Sequence, residues 1–168
     1  MKMKEIKNKN QGVTLIALAI TIALLLIIAG ITIYSGSDTI KKAKLEELKT
    51  NMLLIQAKAR EYVEDATFKM GINPDDNKKN EVREEVYVQN AKLTKADSVP
   101  SEFGITDPTT CYWLTEEAQN NWGLEKMDLA EDEKYLIEFK ENEETVEVYN
   151  SLGYNGSYSL TEIDQLQK

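Results

Sequence analysis

From Val13 to Tyr34 the chain reads VTLIALAITIALLLIIAGITIY, 22 residues without a single charge. An α-helix rises 1.5 Å per residue, so this run makes a rod about 33 Å long, close to the thickness of a bilayer's hydrocarbon core. It has no polar face for water. Only threonines and Gly30 interrupt it, and a threonine hydroxyl can return its hydrogen bond to a carbonyl of the preceding turn. The expectation is a membrane-spanning helix over residues 13–35 rather than the buried helix of a soluble core.

The flanks orient that span. Residues 1–12 carry Lys2, Lys4, Lys7 and Lys9 against Glu5, a charge of +3, so the chain's total of −9 leaves −12 on the remainder. A basic leader stays on the cytoplasmic side, which places residues 36–168 outside, although Lys41, Lys42 and Lys44 follow the span closely. A secretory signal peptide also begins with a basic region. Its apolar stretch is typically about 7–15 residues and ends in a small-residue cleavage site, whereas this run is longer and leads into a charged helical pattern.

The junction itself is more specific. Gln11-Gly12-Val13-Thr14-Leu15-Ile16 resembles the class III signal of the type IV pilin-like and pseudopilin family: a short basic leader ending in glycine, followed by an apolar residue and Thr-Leu-Ile at the head of the hydrophobic helix. The resemblance implies cleavage at Gly12–Val13 by a membrane-embedded prepilin peptidase, with the new amine on Val13 open to N-methylation. The helix is then retained, and the subunit joins others through an assembly platform protein. Glycine suits such a site because it has no side chain to obstruct a protease. One position departs from the pattern. The family's usual glutamate at the fifth mature residue is Ala17 here. A carboxylate at that depth is costly unless paired, which is how it sets the register of a neighbouring subunit. Its loss points to a minor or tip subunit or to an ordinary subunit of a divergent lineage.

Beyond the span, Leu45, Leu48, Met52, Ile55, Ala59, Tyr62 and Ala66 recur at alternating intervals of three and four, which is one stripe on a helix. Lys44, Glu46, Glu47, Lys49, Lys58, Arg60, Glu61 and Glu64 fill the other side. The stripe suits packing on a sheet of the same chain, with a three-heptad coiled coil as the alternative. Ala59 and Ala66 favour the sheet, since they make a thin coiled-coil seam. Residues 36–66 are therefore read as the amphipathic half of one long helix.

Residues 67–110 are the least legible. Gly71–Asn77 is turn chemistry, Glu81–Leu93 reads as a short helix with Val82, Val86, Asn90 and Leu93 inward, and Pro100 and Pro108 punctuate a loop. Asp75, Asp76, Asn77, Asn80 and Glu81 offer hard oxygens of the kind calcium takes, but without the alternating spacing of an EF-hand loop, so no metal site is assigned. The C-terminal third is clearer. Cys111–Leu114 suits a strand; Thr115 caps a short helix that stops at Gly123. Tyr135–Phe139 and Thr145–Tyr149 read as two strands around a Lys140–Glu144 turn, and Gly153 and Gly156 mark a turn before Tyr158-Ser159-Leu160. The expected fold is α+β: a long N-terminal helix packed on a small antiparallel headgroup spanning residues 67–168.

Composition narrows the function. There is no histidine, which removes the commonest general base and metal ligand. Cys111 is the only cysteine, so no disulfide forms within the chain. Phosphate loops and paired CxxC motifs are absent, and the carboxylates are a general excess without a distinguishable catalytic pair. A headgroup this acidic repels nucleic-acid backbones. The sequence thus reads as a non-enzymatic filament subunit of a pilus, type II secretion or competence type, needing no cofactor. A membrane-anchored extracytoplasmic binding protein that never polymerises is the alternative.

Overall fold

The computed structural model describes residues 11–127, 129–141 and 145–166, and within residues 11–38 the side chains only of Leu18, Thr21, Ile22, Ala23 and Leu25. Helix α1 runs from Gln11 to Met70, and the chain divides into two compact units at Lys44 and Leu45. Each unit is described by itself.

In the first unit the backbone is helical throughout the described residues. The Thr21 hydroxyl donates to the Leu18 carbonyl at 2.8 Å, the local bond that lets threonine sit in an apolar helix. Leu18, Ile22 and Leu25 are all exposed, at 60%, 49% and 65%. Among the described residues no helix is long and apolar enough to cross a membrane. The span read over residues 13–35 rests on side chains that, apart from the five named, lie outside the described ones.

The second unit is an α+β head whose first element is the end of α1. The expected stripe is its buried face. Met52, Ile55, Ala59 and Ala66 are fully buried, Leu45 nearly so, and Leu48 and Tyr62 pack at the margins. Val63, which lies outside the 3-4 series, is equally buried, because a helix lying on a broad sheet buries a wider arc than a coiled-coil seam does. The helix also outlasts the boundary at residue 66. It ends at Met70, where Gly71 takes φ +71 and donates its N–H to the Thr67 carbonyl.

Helix α2 (Asp76–Arg83) starts at Asp75, whose carboxylate accepts the Lys78 N–H at 2.7 Å. It passes into a π-helix over Glu84–Asn90. The helix read over Glu81–Leu93 thus begins earlier and changes winding, and Asn90 is exposed while Tyr87 and Ala91 are buried. At 3.6 residues per turn Ala91 would lie roughly 180° from Val82. The wider i+5 turn brings Val82, Val86, Tyr87 and Ala91 to one side.

Five strands follow in simple antiparallel order: β1 (Thr94–Lys95), β2 (Cys111–Trp113), β3 (Tyr135–Lys140), β4 (Thr145–Tyr154) and β5 (Ser157–Ser159). Between β2 and β3 lies α3 (Glu116–Asn121), capped by Thr115 and ended before Gly123 at φ +72, as its residues predict. Central strand β3 is apolar on both sides because both its faces are covered. Tyr135, Ile137 and Phe139 join the cluster that holds the buried face of α1, with Phe139 stacked on Tyr87 at 3.9 Å between ring centroids, while Leu136 joins Cys111, Tyr149 and Phe103 under the 96–110 loop. Phe103 stacks on Tyr149 with ring centroids 5.2 Å apart.

Two strand expectations change. Strand β4 runs past Tyr149 to Tyr154 with a bulge, and Gly153 sits inside that bulge instead of in a turn. Leu160 opens helix α4 (Leu160–Gln165) rather than ending a strand, because Ser159 and Glu162 form a capping box at its start. The tip of the β3–β4 hairpin at residues 142–144 lies outside the described residues.

Candidate functional site

The residues singled out for processing, Gly12, Val13, Thr14, Leu15, Ile16 and Ala17, all fall in the backbone of α1, and their side chains lie outside the described ones. Of the leader, residues 1–10 lie outside the described residues as well. What the structure builds in detail is the head, and its polar chemistry gathers in three places.

The first is the start of the π-helix. Arg83 forks onto Glu141, donating from Nε to Oε1 and from Nη2 to Oε2, each at 2.8 Å. The pair is mostly shielded, with 15% and 11% of the side chains exposed. Glu141 holds the guanidinium above its usual range, and Tyr87 donates to the same carboxylate at 3.4 Å. Two grooves flank the pair. One of about 510 Å³ is bordered by Thr67, Asn73 and Lys79. The other, of about 380 Å³, is bordered by Thr106, Asp107 and Thr109. The Thr67 hydroxyl is buried without a hydrogen-bond partner among the described residues. Because each charge of the ion pair is satisfied by the other, the pair supplies structure, not a general acid or base.

The second is the bulge of β4. Asn150 is 1% exposed; its Oδ1 accepts the N–H groups of Leu152 at 3.0 Å and Gly153 at 2.9 Å, and its Nδ2 donates to Glu133 at 2.7 Å. The Tyr135 hydroxyl donates to the same Glu133 oxygen at 2.7 Å. Burial first, then this carboxylate, pushes the phenol well above its usual range. The network ties the acidic loop before β3 to the strand beyond it.

The third is the clasp on α4. Glu147 accepts both the backbone N–H and the hydroxyl of Thr161, at 2.9 and 2.8 Å, and Lys49 of α1 pairs with Asp164 at 2.5 Å.

The other candidates take structural roles. Asp75 is a helix cap and Asp76 pairs with Lys79 at 3.5 Å, so the acidic turn is spent on α2. Among the described residues no group of three acidic or sulfur side chains is placed to hold a metal ion. Cys111 is fully buried, and its thiol is pushed up to about 12, first by burial and then by Glu138 and Asp107. The face of α1 turned away from the sheet carries Leu53 and Leu54, exposed at 44% and 46%. At its end stand Phe68 and, in the following turn, Ile72, exposed at 85% and 95%.

Arg83–Glu141 and the Asn150 network had no signal in the sequence, since their partners are far apart along the chain. The α4 cap did, as Ser159-x-x-Glu162 is the residue pattern of a capping box.

No protein-family model, curated protein or solved structure matches this chain. Its functional reading therefore rests on its own residues and on the arrangement just described.

Proposed function

We propose that this chain is a type IV pilin-like or pseudopilin subunit, made as a precursor, cut at Gly12–Val13 and assembled into a filament through its N-terminal helix. The observation that carries the reading is the conjunction at the head of α1: a basic leader, Gly12, then Val13-Thr14-Leu15-Ile16 opening a 22-residue uncharged run. The α+β head supports it, with the end of α1 lying on a five-stranded antiparallel sheet. Exposed apolar side chains on α1, among them Leu18, Ile22, Leu25, Leu53 and Leu54, give such a helix surface to bury in lipid or against sister subunits. The partners on this reading are a prepilin peptidase, other pilin-like subunits and an assembly platform in the cell membrane, with the C-terminal head extracytoplasmic. Ala17 offers no carboxylate to a neighbour's N-terminal amine, which fits either a minor or tip subunit with no neighbour beyond it or an ordinary subunit of a divergent lineage.

Mass spectrometry of the mature N-terminus tests this. A chain beginning at Val13, with or without a methyl group, supports the reading, and Gly12→Asp should retain the leader and abolish assembly. A native chain that keeps its lysine-bearing leader where a prepilin peptidase is active overturns it. An anchored binding protein that never polymerises would be indifferent to the Gly12 change.

A further inference from the structure

We infer that Asn155 is a site of spontaneous covalent modification, converting to aspartyl and isoaspartyl forms in the folded head, while Asn150 on the same strand is protected. Asn155 and Gly156 form the two-residue turn between β4 and β5, at φ +51 and +80, with Tyr154 paired to Ser157 across it. Such turns favour Asn-Gly because both central residues need positive φ. Asn155 is exposed, and its carboxamide has no hydrogen-bond partner among the described residues. Gly156 carries no side chain to hinder its nitrogen, the space where one would stand is open within 4 Å, and both turn residues are exposed to water.

The chemistry needs only water. The Gly156 backbone nitrogen loses its proton and attacks Cγ of Asn155. A nitrogen–carbon bond forms, the bond from Cγ to the amide nitrogen breaks, and ammonia leaves. Hydrolysis of the resulting succinimide at Cγ restores the normal chain with a carboxylate. Hydrolysis at the main-chain carbonyl instead routes the chain through Cγ, adding a methylene to the backbone. Either product adds a negative charge at the tip of the hairpin. The second lengthens a loop whose two-residue count sets strand register.

Asn150 is the internal comparison. It precedes Ser151, another small residue, yet it is 1% exposed and its amide holds three hydrogen bonds. Attack on its Cγ would require breaking all of them. Asn73 precedes Pro74, which has no N–H to lose, and Asn121 donates to the Asn90 carbonyl at 3.2 Å.

The full-length chain in detergent micelles, incubated at neutral and mildly alkaline pH, supplies the test by peptide mass spectrometry. The peptide holding Asn155 should gain one mass unit and split into two isomers on chromatography, faster at higher pH, while Asn150 stays amidated until denaturant is added. Asn155→Gln should suppress the change at this position without altering the far-ultraviolet circular dichroism of the fresh protein. If Asn155 remains amidated as long as Asn150 in the folded chain, or converts only once the chain is unfolded, the inference fails.

Discussion

Arg83 and Glu141, 58 residues apart in the chain, meet in a two-pronged ion pair that joins the last residue of α2 to the residue that follows β3. Guanidinium and carboxylate match in plane and spacing, so each contributes two charge-assisted bonds where a lysine would give one. Arg83→Met should lower the stability of the head by about 2–3 kcal/mol, because it leaves a largely shielded carboxylate without its donor. Adding Glu141→Leu should recover part of that loss, since no orphaned charge then remains. Urea unfolding followed by tyrosine and tryptophan fluorescence measures both. An Arg83→Met protein within experimental error of the parent would show the pair to be idle.

Ala59 and Ala66 are fully buried where α1 lies on the sheet. Replacing either by leucine forces extra methylenes into a filled interface, and a loss of about 1–3 kcal/mol is expected. Ala57, which is exposed on the same helix, should accept leucine with little change. Equal effects at Ala57 and Ala59 would mean that α1 does not present the face described.

The bulge of β4 depends on Asn150 and Gly153 together. Asn150→Ala removes acceptors from two backbone N–H groups and should cost about 1–3 kcal/mol. Gly153→Ala should be at least as damaging. The residue sits at φ +61, and a Cβ would stand 2.6 Å from the Ser157 carbonyl and the Tyr158 ring. Thermal unfolding of the two variants reads both effects, and a Gly153→Ala protein as stable as the parent would contradict the bulge.

The Cys111 thiol has a folded-state value of about 12 against an ordinary 9.0. A group whose pKa is raised on folding contributes its stability below the unfolded value and loses it as pH rises towards the folded one. Stability from this residue should therefore be intact below pH 9 and fall between about 9 and 12. The thiol should also resist alkylation at neutral pH in the folded chain and react at once in denaturant. Rapid native labelling would place Cys111 outside the core.

Glu162 shows the opposite sign. Backbone N–H groups of Tyr158 and Ser159 hold its carboxyl below the usual range. The cap's contribution is present above the ordinary value of 4.5 and is lost as pH falls through the lowered one. The protection of the α4 amides against deuterium exchange, taken relative to their intrinsic rates, should therefore fall in acid. Glu162→Gln, which keeps an acceptor but no charge, should remove most of that pH dependence.

Features carried by near neighbours were legible from the residues alone. The 3-4 stripe from Leu45 to Ala66, the Thr115 cap, the stop at Gly123 and the strands around Tyr135–Phe139 and Thr145–Tyr149 each depend on contacts or φ preferences within a few positions. The 22-residue uncharged run belongs to the same class, being a property of composition along a short stretch. Only the tertiary structure decided the rest. It changed the winding after Arg83 so that Tyr87 and Ala91 reach the core, extended β4 because Tyr154 finds Ser157, and closed the second face of β3 with Phe103 and its loop. Those outcomes turn on which distant side chains bury each other. Burial rewards any apolar partner of the right shape, so a local pattern specifies that a residue goes inward without specifying what it meets there.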